Sequence, residues 1–249
     1  MKAAFPPSPV AGEGLGVRSK KIRPSAASAI ADINNGCIIM AGGFGLCGNP
    51  ENLIKALADS GIKDIHLISN NCGTTDKGLG VLLQNKQVSR ITASYVGENS
   101  EFERQLIAGE IEVDLVPQGT LAERIRIGGA GIPAFYTPTG VGTEVAKNKE
   151  TRIFDGREYL LETALKADFA LIKAYKADPF GNLIFRKTAR NFNPMMCAAA
   201  KTTIVEVEEL VDLGQLDPDC VHVPGIYINR IIVGTHYDKW IEHRTIRHR

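Results

Sequence analysis

Cys37-Ile38-Ile39-Met40-Ala41-Gly42-Gly43-Phe44-Gly45-Leu46-Cys47-Gly48-Asn49-Pro50 is the stretch on which the fold turns. Residues 37–41 form an unbroken apolar run, too short for a core helix and suited to a strand buried on both faces. A glycine-rich loop follows at 42–48. Asn49-Pro50 then reads as an N-cap with proline at the first helical position. Leu53, Ile54 and Leu57 mark one face of that helix, and Gly61 ends it.

The same alternation continues on both sides. A short helix is expected over 25–33. Ile65-His66-Leu67-Ile68 is the next strand, Val81-Leu82-Leu83 lies in the next helix, and strand residues run over 88–95. A helix through Phe102, Leu106 and Ile107 stops at Gly109, and a strand occupies 111–116. Such alternation builds an open, mostly parallel α/β sheet with helices on both faces. The second half adds two hairpins, turning at Asp155-Gly156 and over 178–182, and further strands over 203–207 and 223–233. One domain is expected over 25–249, preceded by a flexible tail over 1–24. That tail carries Lys2, Arg18, Lys20, Lys21 and Arg23 against Glu13 alone, with Pro6, Pro7, Pro9 and Pro24 interrupting any regular element. A transit segment is a minor alternative for it.

Composition excludes several classes. With 29 Lys+Arg against 28 Asp+Glu the net charge is +1, which argues against a dedicated nucleic-acid binder. No run reaches the ~18 apolar residues of a membrane-spanning helix. Cys37, Cys47, Cys72, Cys197 and Cys220 show no C-x-x-C pair, so a metal site is not expected. Their odd number suits a reducing, cytoplasmic setting.

Open parallel sheets bind ligands beyond the carboxyl ends of their strands. Three segments fall there: Gly42 to Gly48, then Ser69-Asn70-Asn71-Cys72-Gly73, and Pro117-Gln118-Gly119-Thr120. Neutral amides with close backbone approach suit a carbonyl or thioester and its developing oxyanion. Each segment taken alone is also an ordinary turn. Gly43-x-Gly45-x-x-Gly48 matches a dinucleotide fingerprint, but the acidic residue that motif needs at the end of the second strand is absent, Asp64 standing at its start. His66 reads as core; His236, His243 and His248 read as a solvated end. Glu98, Glu101 and Glu103 read as the acidic opening of a helix. Cys47 reads as a small filler.

These residues resemble the A (alpha) subunit of class I coenzyme A transferases. The resemblance runs from Asn35-Gly36 and Gly42-Gly43-Phe44 through Ser69-Asn70-Asn71, Tyr95-Val96-Gly97-Glu98-Asn99, Glu101-Phe102-Glu103-Arg104-Gln105 and Pro117-Gln118-Gly119-Thr120-Leu121. It continues over Gly128-Gly129-Ala130-Gly131, Tyr136-Thr137-Pro138-Thr139-Gly140 and Ala189-Arg190-Asn191-Phe192-Asn193, covering about 25–245. Within the family it is closest to the 3-oxoacid branch, with acetate/butyrate–acetoacetate and 3-oxoadipate transferases as near relatives. The resemblance implies a ping-pong transfer of CoA from succinyl-CoA to acetoacetate through a glutamyl-CoA thioester, with CoA as substrate and no further cofactor. The family's nucleophile lies in a Ser-Glu-Asn-Gly motif of the B (beta) half, which this sequence lacks; Asn70 stands where that glutamate would be. No catalytic residue is therefore expected in this chain. A B subunit is the expected partner, in a heterotetramer of two A and two B. The resemblance assigns Gly42, Gly43, Phe44, Gly45, Leu46, Cys47 and Gly48 to CoA binding, and Asn70, Asn71 and Gln118 to the acyl and thioester groups. Residues 128–131 and Tyr136-Thr137 are read either as part of the same mouth or as plain connections. Residues 189–193 are read as structural. A dinucleotide-binding oxidoreductase and a non-catalytic CoA-binding or regulatory module remain the other two classes.

Overall fold

The structure is a computed structural model and describes residues 20–240. Its main sheet holds β1 (Ile38–Ala41), β2 (Ile65–Ile68), β3 (Val88–Ala93) and β4 (Glu112–Leu115) on one side. On the other lie β8 (Ala167–Ala177), β10 (Ala200–Leu210) and β11 (Arg230–Val233). The order is β11-β10-β8-β1-β2-β3-β4, every neighbouring pair parallel, with β9 (Leu183–Ile184) antiparallel on β8. Strand order therefore reverses between β1 and β8.

The α/β reading holds in physical detail. Successive residues of β1 enter different cores: Ile39 and Ala41 join one apolar cluster and Met40 the other. Phe169 and Leu171 of β8 share the first cluster, Ala170 and Ile172 the second. A strand buried on both faces has no polar side to show, which is why its sequence is continuous rather than alternating. α2 (Glu51–Asp59), α3 (Gly80–Gln84) and α4 (Ser100–Ile107) contribute to the first cluster. α5 (Gln118–Ala130) and α6 (Asn193–Met196) contribute to the second. Helices thus cover both faces. The expected helix over 25–33 is one turn, α1 (Ala26–Ala29), capped reciprocally by Ser25 and Ser28.

Both expected hairpins are present, while several other expectations need correction. The first proposed hairpin belongs to a separate three-stranded antiparallel sheet made by β5 (Ala134–Thr137), β6 (Thr151–Phe154) and β7 (Arg157–Thr163), in the order β5-β7-β6. Asp155 and Gly156 turn it with φ of 49° and 74°, the pattern of a tight primed turn. The second hairpin is β8–β9. Residues 128–131 are neither mouth nor connection: they end α5, with Gly131 in the left-handed C-cap. Asn49 does not cap α2, which starts at Glu51; its amide instead reaches the Gly45 carbonyl at 3.3 Å. Of the expected tail, residues 20–24 lie against the sheet, where Ile22 bridges Ile231 and Arg23 N–H donates to Ile231 O at 2.8 Å. The rest of that tail, His243 and His248 fall outside the described residues. Among the described residues, no helix is long and apolar enough to cross a membrane.

Candidate active site

The carboxyl ends of β2, β3 and β4 meet over a cavity of about 490 Å3 lined by Phe44, Gly45, Asn70, Asn71, Ser94, Tyr95, Gly97, Glu98 and Gln118. Three amides form its polar wall. Asn70 Oδ1 accepts from Gln118 Nε2 at 2.8 Å and from Ser94 Oγ at 2.9 Å. Asn70 Nδ2 donates to Asn71 Oδ1 at 3.1 Å, and that oxygen also accepts the Gly45 N–H at 2.8 Å. Asn70 and Asn71 are buried while Gln118 is exposed. The network leaves Asn71 Nδ2 and Gln118 Oε1 without a partner among the described residues, so a donor and an acceptor remain for a ligand. Phe44 and Tyr95, about half exposed, form an apolar rim.

The glycine loop packs closely against its neighbours, which leave no free space for a Cβ at Gly42, Gly43 or Gly48. Phe44 and Cys47 exchange backbone hydrogen bonds at 3.0 Å, closing a turn through Gly45 and Leu46. A Cβ on Gly42 would lie 1.8 Å from Asn193 Oδ1, and one on Gly43 1.8 Å from Asn49 Oδ1. Gly48, with φ +75°, has Ala189 O and the Asn191 amide pressed against it. Asn191 Nδ2 donates to Cys47 O at 2.9 Å, and Asn193 Nδ2 to Gly48 O at 3.0 Å. Residues 189–193, read from the sequence as structural, thus strap the loop from behind.

The seven loop residues do not form one wall. Phe44 and Gly45 face the amide cavity; Leu46, Cys47 and Gly48 line a second cavity; Gly42 and Gly43 line neither. The loop is a partition. Residues 128–131 and Tyr136-Thr137 border neither side of it. His66, in β2, pairs with Thr92 Oγ1 at 2.9 Å, and burial lowers its pKa.

Sequence reasoning missed the third edge of the cavity. Glu98 does not open α4: Asn99 caps that helix by accepting Phe102 N–H at 3.0 Å, and Glu98 sits before it at φ +63° on the cavity wall. A left-handed non-glycine residue is costly and marks a place where the surroundings dictate the backbone. Ser94 and Tyr95 follow β3 directly, so the strand-end rule that selected Asn70 and Gln118 would have found them too. The dinucleotide alternative gains nothing, since β2 ends at Ile68 and runs into Ser69, and Asp64 precedes the strand. Among the described residues, no three His, Cys, Asp or Glu side chains gather to hold a metal.

Residues 23–234 match the coenzyme A transferase family. The chain belongs to that family. It is 57% identical over 227 residues to the probable A subunit of the succinyl-CoA:3-ketoacid coenzyme A transferase of Bacillus subtilis, covering 91% of this chain and 95% of that one. To the A subunit of the succinyl-CoA:3-ketoacid coenzyme A transferase of Helicobacter pylori strain J99 it is 58% identical over 219 residues, 88% and 94% of the two chains. The fold is shared with an acyl-CoA transferase of Escherichia coli O157:H7 at TM-score 0.80 and 21% identity. That match covers 94% of this transferase chain and 50% of the other, so the chain spans about half its length. Glutaconate coenzyme A-transferase from Acidaminococcus fermentans has the same fold at TM-score 0.74 and 20% identity, over 86% and 75% of the chains.

Proposed function

We propose that this chain is the A subunit of a succinyl-CoA:3-oxoacid CoA-transferase, moving CoA from succinyl-CoA to acetoacetate or a related 3-oxo acid. It works with a B subunit in a cytoplasmic heterotetramer of two A and two B, and uses no cofactor beyond CoA as substrate. The relatives' names support the substrate class. The observation that carries the rest is the amide wall of Asn70, Asn71 and Gln118, which offers hydrogen bonds to a carbonyl at the place where its sequence relatives' B half would carry a nucleophile.

On this reading the B subunit's glutamate enters the cavity past the Phe44–Tyr95 rim. Its carboxylate attacks the acyl-CoA carbonyl, the acyl-glutamyl anhydride forms, and the CoA thiolate returns to give the glutamyl-CoA thioester and free acid. The acceptor acid reverses these steps. Asn71 Nδ2 is the donor for the developing oxyanion, and Gln118 Oε1 accepts from the pantetheine arm. Apolar cover over the rim keeps water from the anhydride. The glycine loop bears on the CoA.

The experiment is reconstitution. The purified chain alone should form no acetoacetyl-CoA from succinyl-CoA and acetoacetate, and addition of the B subunit should restore turnover. Turnover by the chain alone at the reconstituted rate overturns the reading.

A further inference from the structure

Open parallel sheets favour ligands where the strand order reverses. Here that crevice lies between β1 and β8, beside the amide cavity rather than within it. It holds the second cavity, about 180 Å3, on the far side of the glycine loop. Leu46, Cys47 and Gly48 form one wall and residues 185–189 another.

Its charges are unbalanced. Lys173 is 7% exposed; its ammonium bonds Glu208 Oε1 at 3.0 Å and Ala174 O at 3.1 Å and lies 3.9 Å from the Tyr237 ring centre. Lys239 takes the other oxygen of the same carboxylate at 2.8 Å. One glutamate therefore serves two lysines. Glu51 is occupied by the backbone N–H groups of Asp238 and Lys239, at 2.8 and 3.1 Å. At the mouth, Arg186 and Lys187 are exposed and have no carboxylate partner among the described residues. The Arg186 guanidinium lies over the Tyr175 ring, 4.7 Å from its centre. Lys187 keeps a left-handed backbone at φ +52°. Thr188 Oγ1, 3.5 Å from Cys47 Sγ, adds a hydroxyl. Lys173 and Lys239 are held by Glu208, with Glu206 opposite Lys173 on the neighbouring strand, so the uncompensated charge is that of Arg186 and Lys187. A concave setting with such an excess concentrates anions, and a guanidinium beside an ammonium suits a dianion.

We propose that this cavity is a phosphate-binding site, with Arg186 and Lys187 as the charged donors and Thr188 as a neutral one. The volume admits a phosphate or a pyrophosphate and not a whole nucleotide. The site stands on charge and shape alone and does not depend on the transferase reading. Two sources share this chemistry: free phosphate, and the phosphates of a nucleotide-bearing ligand whose remainder lies outside the cavity.

The test is calorimetric titration of the full chain with inorganic phosphate at constant ionic strength, so that general screening does not register as binding. Saturable binding is expected, weakened at least ~10-fold in the Arg186→Gln/Lys187→Gln double variant. Both side chains are exposed, and an unchanged melting temperature verifies that the variant folds. CoA that displaces phosphate where pantetheine does not identifies the nucleotide end as the source; phosphate binding indifferent to CoA identifies the free ion. Either supports the site. No saturable binding, or equal binding by the double variant, overturns it.

Discussion

Gln118 Nε2 reaches Asn70 Oδ1 at 2.8 Å, joining the first residue of α5 to the residue beyond Ser69 at the end of β2. The bond sets the tilt of both amides toward the cavity. Gln118→Ala leaves Asn70 Oδ1 still accepting from Ser94, and the side chain removed is exposed, so the melting temperature should stay within about 2 °C. In the assembled enzyme kcat should fall about 100-fold, the usual cost of one oriented donor or acceptor in such a site. A wild-type kcat removes Gln118 from the site.

Glu98 places a carboxylate on the cavity wall of this chain, so the origin of the nucleophile is open to direct measurement. In the reconstituted enzyme incubated with succinyl-CoA, mass spectrometry should find the CoA adduct on the B chain and none on this one. Glu98→Gln should still form that adduct. A CoA thioester on Glu98 would falsify the division of labour between the two chains.

Gly48 and Gly61 separate crowding from backbone strain. Both are left-handed, at φ +75° and +70°, but a Cβ at 61 meets nothing within 4 Å whereas one at 48 meets Ala189 O at 2.6 Å. Gly61→Ala should cost about 1 kcal/mol, the left-handed penalty. Gly48→Ala should cost roughly 2–4 kcal/mol, because the strap must move as well. Equal unfolding free energies for the two variants would show that the strap yields freely.

Glu206 on β10 is fully buried, and its Oε2 caps α2 by accepting Leu53 N–H at 2.8 Å, with Asn52 Nδ2 on Oε1 at 3.3 Å. Burial pushes its carboxyl up to about 7, against the pull of Lys173 opposite it on β8, whose own pKa burial lowers. Glu51 nearby adds to the rise. The folded chain thus holds a proton that the unfolded chain has already released between its ordinary carboxylate pKa and about pH 7. Stability from this group is lost as pH rises across that window. Glu206→Gln keeps an acceptor for Leu53 and removes the titration. Its urea midpoint relative to the native chain should climb from about pH 5 to about pH 7 and then level. A constant difference would show that Glu206 ionises normally.

Burial holds the Cys72 and Cys197 thiols up at about 12, each with 1% exposure. A thiolate-selective disulfide reagent at neutral pH should leave both untouched in the native chain and modify them on unfolding. Cys220, exposed, is open to reagent throughout. Native labelling of Cys72 would reveal local opening around Asn71.

Local signals were legible where they were strong. The run Ile38 to Ala41 announced a doubly buried strand, and the strand-end rule selected the segments that carry Asn70, Asn71 and Gln118 to one cavity. The end of α5 was not legible, because Gly128 and Gly129 look like loop residues. They sit in a helix and are glycine because a Cβ at 128 would lie 1.9 Å from Leu165 O and one at 129 2.7 Å from Ala198 Cβ, contacts that exist only in the folded chain. The cap of α2 was equally hidden: Asn49-Pro50 looked sufficient locally, while the acceptor actually used lies 153 residues away from Leu53. The two-sidedness of the glycine loop depends on β8 lying beside β1, a neighbour that the order of elements along the chain does not disclose.

The partition built by residues 44–48 has a thermodynamic consequence. Whatever tightens on Phe44 and Gly45 acts through the same short backbone that Leu46, Cys47 and Gly48 present to the other side, and Asn71 and Asn193 hold that backbone from opposite ends. Any linkage between occupancy on the two sides is reciprocal. The factor by which a ligand in one cavity changes affinity in the other is the factor by which the second ligand changes the first.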